Sequence, residues 1–320
     1  MPSNLLGPSS GYRIFVSGSM AYDRIMDFPG KFADHIMPDK IHVLNVSFNV
    51  NGLVERMGGT AGNIAYALRL LGEQPTILAT IGKDYERYFQ WLDKNGISRE
   101  GLRVIEEEFT AGAYITTDAA DNQITGFNPG AMKHPCRFDV SKAPSKRSIG
   151  IIGAGNLDDM MTLSKAYKER GIQYVFDPAQ SLPIWKGKDL AEAVTGARVL
   201  ISNDYELSLI IKMTGLSKGQ LLKRAEAIVT TLAEKGSIVA TQDREVRVQA
   251  VKLPKVPLDP TGAGDAYRGG FLKGMVTGKG LVEAARLGSV IASYAVEVYG
   301  TQSYRFTKRD FDARYRRTFV

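Results

Sequence analysis

Two patterns of hydrophobic residues alternate along most of this chain. Short continuous apolar runs have the length and composition of buried strands, and stretches with helical spacing follow them and end at glycine. The predicted strands are 13–18, 76–81, 149–153, 172–176, 197–202, 237–241 and 245–250, and the predicted helices are 64–71, 84–95, 158–170, 204–213, 218–234, 266–277 and 281–299. Strands that alternate with helices through short loops predict an α/β fold, with a mostly parallel central sheet flanked by helices on both faces.

Two excursions interrupt this alternation. The first, about 24–53, has scattered apolar residues, and its portion 41–50 partly alternates, which predicts half-exposed antiparallel strands. The second, about 108–130, contains the runs 111–117 and 123–127 around a turn, which predicts a hairpin. We therefore expect one domain over 12–320 that carries both excursions. The Pro-, Ser- and Gly-rich residues 1–11 are expected to form a disordered lead-in.

The segment with the sequence DPTGAGD, residues 259–265, is the main candidate for chemistry. Gly262 and Gly264 allow a sharp turn and a close approach of the backbone to a ligand. The helix after them begins with unpaired amide groups and the positive end of its dipole, which favour an anion such as phosphate. Asp265 would bind an anion poorly there, but it could accept the proton of a hydroxyl that attacks the phosphate. The alternative is an ordinary loop with Asp265 as helix N-cap, and spacing alone does not decide between them.

Polar residues near other predicted strand ends are further candidates. Asp23 follows the first strand, at the end of a parallel sheet where ligands bind, and it could hold hydroxyl groups or occupy a turn. The pair Gly58-Gly59 opens a helix that carries Asn63, which fits either a ligand approaching the backbone or a tight entry into the helix.

Two more pairs of residues each have two possible roles, and the sequence does not decide between them. Asn203 and Glu206 begin a predicted helix, where Glu206 could hold Mg²⁺ through water or the two could form a capping box. Tyr114 and Phe127 flank the hairpin, where they could sandwich an aromatic ligand or pack across the strands.

Composition and charge narrow the class of protein. One cysteine and three scattered histidines exclude an internal disulfide and give no zinc pattern. There is no P-loop motif, no apolar run of about 18 residues and no signal-type N-terminus, so we expect a cytoplasmic protein that does not act at a membrane. The net charge of +7 suits nucleotides or nucleic acid as partners, and a nucleic-acid-binding protein is the alternative from a different class.

Taken together, three motifs resemble the ribokinase-like (PfkB) family of carbohydrate and nucleoside kinases. They are Gly58-Gly59 with Asn63, Asn203 with Glu206, and the segment 259–265. Within that family the chain is most similar to the bacterial-type adenosine kinases of the mycobacterial kind. The stretches that carry this similarity are GSMAYD at 18–23, FPGKF at 28–32, NPGAM at 128–132, NDYE at 203–206 and GTQ at 300–302.

The resemblance implies an ATP-dependent kinase that phosphorylates the 5′-hydroxyl of a nucleoside, adenosine to AMP, with a sugar kinase of the same family as the alternative. Asp265 would be the catalytic base, and the amides of Gly262, Ala263 and Gly264 would stabilise the transferring phosphoryl group. The residues expected around the nucleoside are Ser19, Asp23, Ser47, Gly59, Asn63, Tyr114, Phe127 and Gln180, with the two aromatic rings stacked on adenine. Those expected to bind ATP are Asn203, Thr231, Lys235, Gly236 and Arg268.

The same resemblance implies the cofactors and the assembly. Glu206 would organise Mg²⁺, and a monovalent cation such as K⁺ would lie near Asp259, Thr261 and Gly300. The two excursions would form a small β-sheet lid that covers the substrate and can pair two subunits into a homodimer. No nucleic-acid partner is expected. The chain departs from the family at Ala233, which replaces the first glycine of the expected ATP loop 231–236, and at Pro260, where the family often has Thr.

Overall fold

The computed structural model describes residues 6–36 and 45–320, and within these ranges the chain forms thirteen strands and nine α-helices. The strands are β1 Arg13–Ser17, β2 Ala21–Asp27, β3 Leu53–Gly58, β4 Pro75–Gly82, β5 Leu102–Ile105, β6 Ala111–Thr117, β7 Gln123–Asn128, β8 Ser148–Ile152, β9 Gln173–Phe176, β10 Val199–Asn203, β11 Ile228–Thr231, β12 Ser237–Ala240 and β13 Glu245–Val248. The helices are α1 Thr60–Leu70, α2 Glu86–Asn95, α3 Leu157–Arg170, α4 Gly187–Val194, α5 Asp204–Thr214, α6 Lys218–Leu222, α7 Ala263–Val276, α8 Leu281–Ala295 and α9 Lys308–Phe319. None of the helices in these ranges is both long enough and apolar enough to cross a membrane.

Nine strands form the large sheet, in the order β13-β12-β11-β10-β9-β8-β1-β4-β5. All neighbours pair in parallel except β12, which is antiparallel to β11 and to β13. Successive residues of a strand point to opposite faces, and both faces of this sheet are apolar. Ile14 and Val16 therefore pack on one side with α1, α2, α7 and α8, whereas Phe15 packs on the other with α3 to α6. The predicted α/β fold is confirmed.

A separate sheet of four strands, the small sheet, has the order β3-β2-β6-β7. Its outer pairs, β2 with β3 and β6 with β7, are antiparallel, while β2 and β6 pair in parallel. Every residue of β7 is exposed to solvent. The hairpin predicted at 111–127 is thus found, but Asp23, predicted to lie in the connection after the first strand, is inside β2.

The predicted helix 218–234 is wrong. Helix α6 ends at Leu222, and β11 follows at Ile228–Thr231 in the middle of the large sheet. The segment Ile228-Val229-Thr230-Thr231 consists of β-branched residues, which favour strands, and its first two side chains are fully buried. Burial of residues 228–231 between β10 and β12 therefore favours a strand, although the charged residues before this segment have helical spacing.

The antiparallel strands predicted within 41–50 are not found over 45–50, where the backbone forms no strand, and 41–44 lie outside the described residues. The chain returns to regular structure only at β3.

The structure also differs from the predicted disordered lead-in. Leu6 is fully buried beside α1, α8 and α9, and the backbone amide of Ser10 donates to Glu73 at 3.0 Å. Glu73 in turn accepts from Lys273 on α7 at 2.5 Å, and both of these side chains are completely buried. Residues 6–11 are therefore packed against the domain, while 1–5 lie outside the described residues.

Candidate active site

The N-terminus of α7 forms the centre of the candidate site. Gly262 is its N-cap with φ 76°, a left-handed conformation that glycine adopts without strain, and a Cβ atom there would lie 2.7 Å from the Thr301 side chain. Asp265 is the third residue of the helix, and the cap makes no side-chain hydrogen bond. The alternative in which Asp265 caps the helix is therefore wrong, and its carboxylate is available for another partner.

The first backbone amides of α7 divide into two groups. The Ala263 amide donates to the carbonyl of Pro260 at 3.2 Å and so belongs to the turn. The amides of Gly262 and Gly264 have no hydrogen-bond acceptor among the described residues. Two of the three predicted phosphoryl-binding amides are thus available at the positive end of the helix dipole.

The Asp265 carboxylate is held in a defined environment. Its Oδ2 accepts a hydrogen bond from Nδ2 of Asn63 at 2.8 Å, across 202 residues of sequence. Burial raises the pKa of Asp265 to about 6, although the Arg268 guanidinium and the Asn63 hydrogen bond act in the opposite direction. A carboxyl group with this pKa is ionised at neutral pH and still basic enough to accept a proton from an alcohol.

A buried ion pair lies beside Asp265. Arg268, one turn further along α7, donates from Nη2 to Oδ1 of Asp177 at 2.7 Å and from Nε to Oδ2. Asp177 is fully buried and Arg268 is 6% exposed. The third guanidinium nitrogen, Nη1, has no acceptor among the described residues, and a Cβ atom at Gly264 would lie 2.8 Å from it. This nitrogen therefore lies at the same helix terminus as the free amides.

Asp177 was not recognised in the sequence as a site residue. The signal available was its position directly after the predicted strand 172–176, at the carboxyl end of the parallel sheet, where polar residues gather around ligands.

A cavity of about 790 Å³ opens at this terminus. The predicted site residues that line it are Gln180, Asn203, Glu206, Thr231, Gly236, Gly262, Ala263, Gly264, Asp265 and Arg268. Lys252, Ser289 and Ser293 also line it, and no motif or spacing in the sequence marks them as site residues. The predicted residues outside its lining are Ser19, Asp23, Ser47, Gly59, Asn63, Tyr114, Phe127 and Lys235. The cavity thus brings together most residues expected to bind ATP, and of those expected around the nucleoside it includes Gln180 alone.

Asn203 and Glu206 form the capping box of α5. Oδ1 of Asn203 accepts from the Glu206 amide at 2.7 Å, and Oε2 of Glu206 accepts from the Asn203 amide at 2.8 Å. Burial raises the pKa of Glu206. Its Oε1 has no donor among the described residues and is free for a water ligand of a metal ion. Within 6–36 and 45–320, no three His, Cys, Asp or Glu side chains converge on a possible metal position.

The expected ribose-binding residues lie where the small sheet meets α1. Gly59 is the N-cap of α1, and Ser19 supports the same helix start by accepting from the Thr60 amide at 3.0 Å. The Asp23 carboxylate lies against Gly58, where a Cβ atom would be 2.5 Å from Oδ2. Burial, with the charge of Asp259, raises the pKa of Asp23 to about 6, and its charge also interacts with that of Asp265. Asp23, on β2 of the small sheet, and Asp265, on helix α7, therefore approach the same space.

The predicted aromatic sandwich is not formed within the small sheet. Phe127 is paired with Ala113, which is paired with Asp23, so these three share one face. Tyr114 is paired with Arg24 and lies on the opposite face, where its hydroxyl accepts from Nη1 of Arg24 at 3.0 Å. Only Phe127, which is 53% exposed, shares the Asp23 face.

Two further predicted residues stand apart from the cavity. Ser47 is exposed in the loop that precedes β3, and Lys235 is exposed beside Gly236, which does line the cavity. Ala233, the departure from the expected ATP loop, has φ 49°. It thus adopts the left-handed conformation that a glycine would take there without strain.

Comparison with known proteins identifies the class of protein that this fold and site define. The profile of the pfkB family carbohydrate kinases matches residues 20–308, and the chain belongs to this family. It is a phosphotransferase that acts on a hydroxyl acceptor. The family resemblance drawn from the motifs is confirmed.

The similar proteins include several nucleoside kinases. The nucleoside kinase of Methanocaldococcus jannaschii is 35% identical over 265 residues, which cover 81% of this chain and 85% of that protein. The structure of Burkholderia thailandensis nucleoside kinase in complex with inosine is 36% identical, has a TM-score of 0.83, and covers 96% of this chain and 98% of that one. The crystal structure of the Methanocaldococcus jannaschii enzyme, 29% identical, superposes with a TM-score of 0.85 over 97% of this chain and 100% of that one.

Proposed function

We propose that this protein transfers the γ-phosphoryl group of ATP to the 5′-hydroxyl of a purine nucleoside, with adenosine converted to AMP. The observation that carries the proposal is Asp265, which lies among free amides at the α7 terminus, on the edge of a cavity of about 790 Å³. A base next to a phosphate-binding helix terminus is the arrangement that alcohol phosphorylation requires.

Each residue at the terminus has a part in the proposed transfer. Asp265 takes the proton of the 5′-hydroxyl while that oxygen bonds to the γ-phosphorus, and the bond from this phosphorus to the β-bridging oxygen breaks to release ADP. The amides of Gly262 and Gly264 and Nη1 of Arg268 stabilise the negative charge on the phosphoryl oxygens. These donors are fixed before ATP binds, because α7 is packed into the core and Arg268 is held by Asp177.

The cavity residues are assigned to ATP. Thr231 and Gly236, at the end of β11 and beyond it, would contact the nucleoside part, and Asn203 would contact the phosphates. A Mg²⁺ ion, which neutralises phosphate charge, would be held by Glu206 through water, since one Glu206 oxygen is free. We also propose a K⁺ ion near Asp259, whose carboxylate already orders Thr261 and Gly300 through their amides.

The nucleoside would bind between α1 and the small sheet. Asp23, Gly59 and Asn63 would hold the ribose hydroxyls, and Phe127 would stack on the base from the Asp23 face. Ser19, Ser47 and Gln180 would complete the surroundings. The small sheet would then serve as a lid, and its fully exposed strand β7 would be the surface through which two subunits pair.

A second candidate substrate, inosine, is favoured by one observation: a relative of 36% identity, the Burkholderia thailandensis nucleoside kinase, has been solved with inosine bound. That enzyme has also been solved in complex with ADP-inosine. Both substrates are purine nucleosides, so the proposed chemistry at Asp265 is the same for each.

The experiment is a panel of acceptors with MgATP and with or without K⁺. The panel contains adenosine, inosine, guanosine, ribose and fructose, and ADP release and the phosphorylated product are both measured. We expect the highest kcat/KM for adenosine. If inosine exceeds adenosine, the base specificity is wrong while the nucleoside kinase proposal stands. If ribose or fructose exceeds every nucleoside, the protein is a sugar kinase.

A further inference from the structure

A chain of buried side-chain hydrogen bonds leads to Asp265 from the opposite side of α1. Nε1 of Trp91 donates to Oε1 of Gln302 at 2.7 Å, and Nε2 of Gln302 donates to Oδ1 of Asn63 at 3.0 Å. Nδ2 of Asn63 then donates to Oδ2 of Asp265 at 2.8 Å. Gln302 is 4% exposed and Asn63 is 5% exposed, so water has little access to these amides. These three hydrogen bonds therefore connect α2, the loop after α8, α1 and α7 in one continuous chain.

Trp91 fixes the direction of this chain. An indole N–H can only donate, whereas an amide side chain can present either its oxygen or its nitrogen. Gln302 must therefore turn its oxygen to Trp91, which leaves its nitrogen facing Asn63. Asn63 must accept from that nitrogen with its own oxygen, and its NH₂ group is left to face Asp265.

Tyr88 fixes the same direction from a second side. Its hydroxyl donates to the backbone carbonyl of Gly58 at 2.8 Å, and a carbonyl can only accept. The hydroxyl lone pair is therefore left to accept from Nε2 of Gln302, at 2.8 Å. The orientation of the Gln302 amide is thus determined at both of its polar atoms. Its oxygen faces Trp91, which can only donate, and its nitrogen faces the Tyr88 hydroxyl, which is left only to accept.

We propose that Gln302 is a positioning residue for the phosphoryl transfer, because it holds the Asn63 amide in the one orientation that donates to Asp265. This proposal rests on the proposed role of Asp265 as the base. An Asn63 amide turned the other way would place its oxygen against the carboxylate and repel the ionised form. With Oδ2 occupied by Asn63, the other carboxylate oxygen is the one left for the substrate hydroxyl.

Several other titratable or charged groups lie near Asp265 and also influence its titration. The charged groups that interact with it are Arg268, Asp177 and Asp23, and the phenols of Tyr88 and Tyr304 lie near it with pKa values raised by burial. Substitutions at Gln302 and Trp91 leave all of these residues in place. A change in the titration of activity can therefore be traced to the hydrogen-bond chain.

The test is the pH profile of kcat/KM for adenosine with saturating MgATP, in Gln302→Met and Trp91→Phe. Methionine keeps the length of Gln302 but removes both amide groups. Loss of a hydrogen bond to an ionised group should move the acid limb of the profile to higher pH by about one to two units in Gln302→Met. Activity at about pH 7 should fall by about twofold to tenfold and recover as the pH is raised. Trp91→Phe, in which Tyr88 still orients Gln302, should shift the limb by less.

Tyr66→Phe is the matched control. Tyr66 lies on α1 one turn after Asn63, stacks on Trp91 with ring centroids 6.0 Å apart, and donates a buried hydrogen bond to the Tyr304 carbonyl at 2.7 Å. Its loss should lower stability to an extent similar to that in Trp91→Phe without moving the acid limb. Thermal unfolding of each variant confirms that the fold is retained.

The outcomes separate this inference from the proposed function. A shift in Gln302→Met, a smaller shift in Trp91→Phe and none in Tyr66→Phe support the positioning role. A uniform loss of kcat at all pH values, or an acid limb that does not move in either Gln302→Met or Trp91→Phe, overturns it. Asp265→Asn is measured alongside: if it keeps the wild-type kcat, the base assignment itself fails and the positioning role fails with it.

Discussion

The two halves of the site, the α7 terminus and the small sheet, are built in opposite ways. At the α7 terminus most polar side chains pair with one another away from bulk solvent, as in the bonds of Asp177 with Arg268 and of Asn63 with Asp265. In the small sheet every residue of β7 is exposed, and Phe127 projects its ring into solvent. The difference indicates that the proposed phosphoryl-transfer half, at the α7 terminus, is formed before substrates bind, whereas the proposed nucleoside half, in the small sheet, is completed by what binds there. We therefore expect substitutions in the first half to lower kcat and those in the second to raise KM.

The largest effect is expected for Asp265→Asn. Removal of the proposed base should lower kcat by roughly 10²–10⁴-fold with little change in the KM for the nucleoside. The folded-state pKa of Asp265 lies above its ordinary value, so the ionised carboxylate destabilises the folded protein at neutral pH, and asparagine should not lower the unfolding temperature. Steady-state kinetics and thermal unfolding measure both. An unchanged kcat would show that Asp265 is not the base and would refute the proposed role of the α7 terminus.

The pH dependence should involve one carboxylate from each half. Asp265 and Asp23 both have a pKa of about 6, and both must be ionised for their proposed roles. Protonation below this value should therefore reduce kcat/KM with two steps, by roughly a hundredfold at about pH 5. In Asp23→Asn the profile should retain a single step. A wild-type profile that is flat from about pH 5 to pH 8 would contradict both assignments.

Asp23→Asn tests the nucleoside half directly. Loss of a charged acceptor for the ribose hydroxyls should raise the KM for the nucleoside by about 10–100-fold, because hydrogen bonds to charged groups contribute about 1.5–3 kcal/mol. The KM for ATP should stay within about twofold, since Asp23 does not line the cavity. If kcat falls and the KM for the nucleoside does not change, the proposed division between the halves is wrong.

Phe127→Ala and Tyr114→Ala form a matched pair within the small sheet. They differ in the face they occupy, and only Phe127 shares the face of Asp23. Loss of stacking on the base should raise the nucleoside KM by about tenfold in Phe127→Ala. Tyr114→Ala should leave it nearly unchanged. Equal effects would mean that the face of the sheet does not determine which ring contacts the base.

The smallest effect is expected for Ala233→Gly, in the loop after β11 that lines the cavity. Alanine in a left-handed conformation is disfavoured by about 1–2 kcal/mol relative to glycine, and part of this gain is lost because glycine makes the unfolded chain more flexible. The net increase in the free energy of unfolding should be about 0.5–1 kcal/mol, measured by urea denaturation. Gly219→Ala, at a helix position with open surroundings, is a control for glycine-specific effects elsewhere in the chain. A loss of stability in Ala233→Gly would show that the loop is not strained.

The parts of this molecule that follow from the sequence are those encoded in local patterns. Strands such as β1 and β4 and helices closed by glycine were predictable because their periodicity lies within one segment. The turn before α7 was predictable because two glycines and an aspartate occupy fixed positions in it. The β11 strand was missed because its four β-branched residues follow a run of lysine, arginine and alanine that has helical spacing.

The remaining parts depend on pairing that no local pattern records. The sequence shows that Tyr114 and Phe127 lie on neighbouring strands, but a register offset of one residue decides whether they share a face, and the structure places them on opposite faces. The partners of Arg268 and Asn63 come from distant segments, so their identity follows only from the three-dimensional packing. Asp177 and Gln302 are examples of residues whose relevance appears only through such partners.

The hydrogen bond between Gln302 and Asn63 joins positions 239 residues apart, and the bond between Asn63 and Asp265 spans 202. During synthesis, the first of these side chains leaves the ribosome long before the others exist. Fragments that end before residue 302 therefore contain all three family motifs but lack the Gln302 side chain that orients Asn63. Competence for phosphoryl transfer should therefore arise late, after residue 302 has emerged and Gln302 has packed against α1.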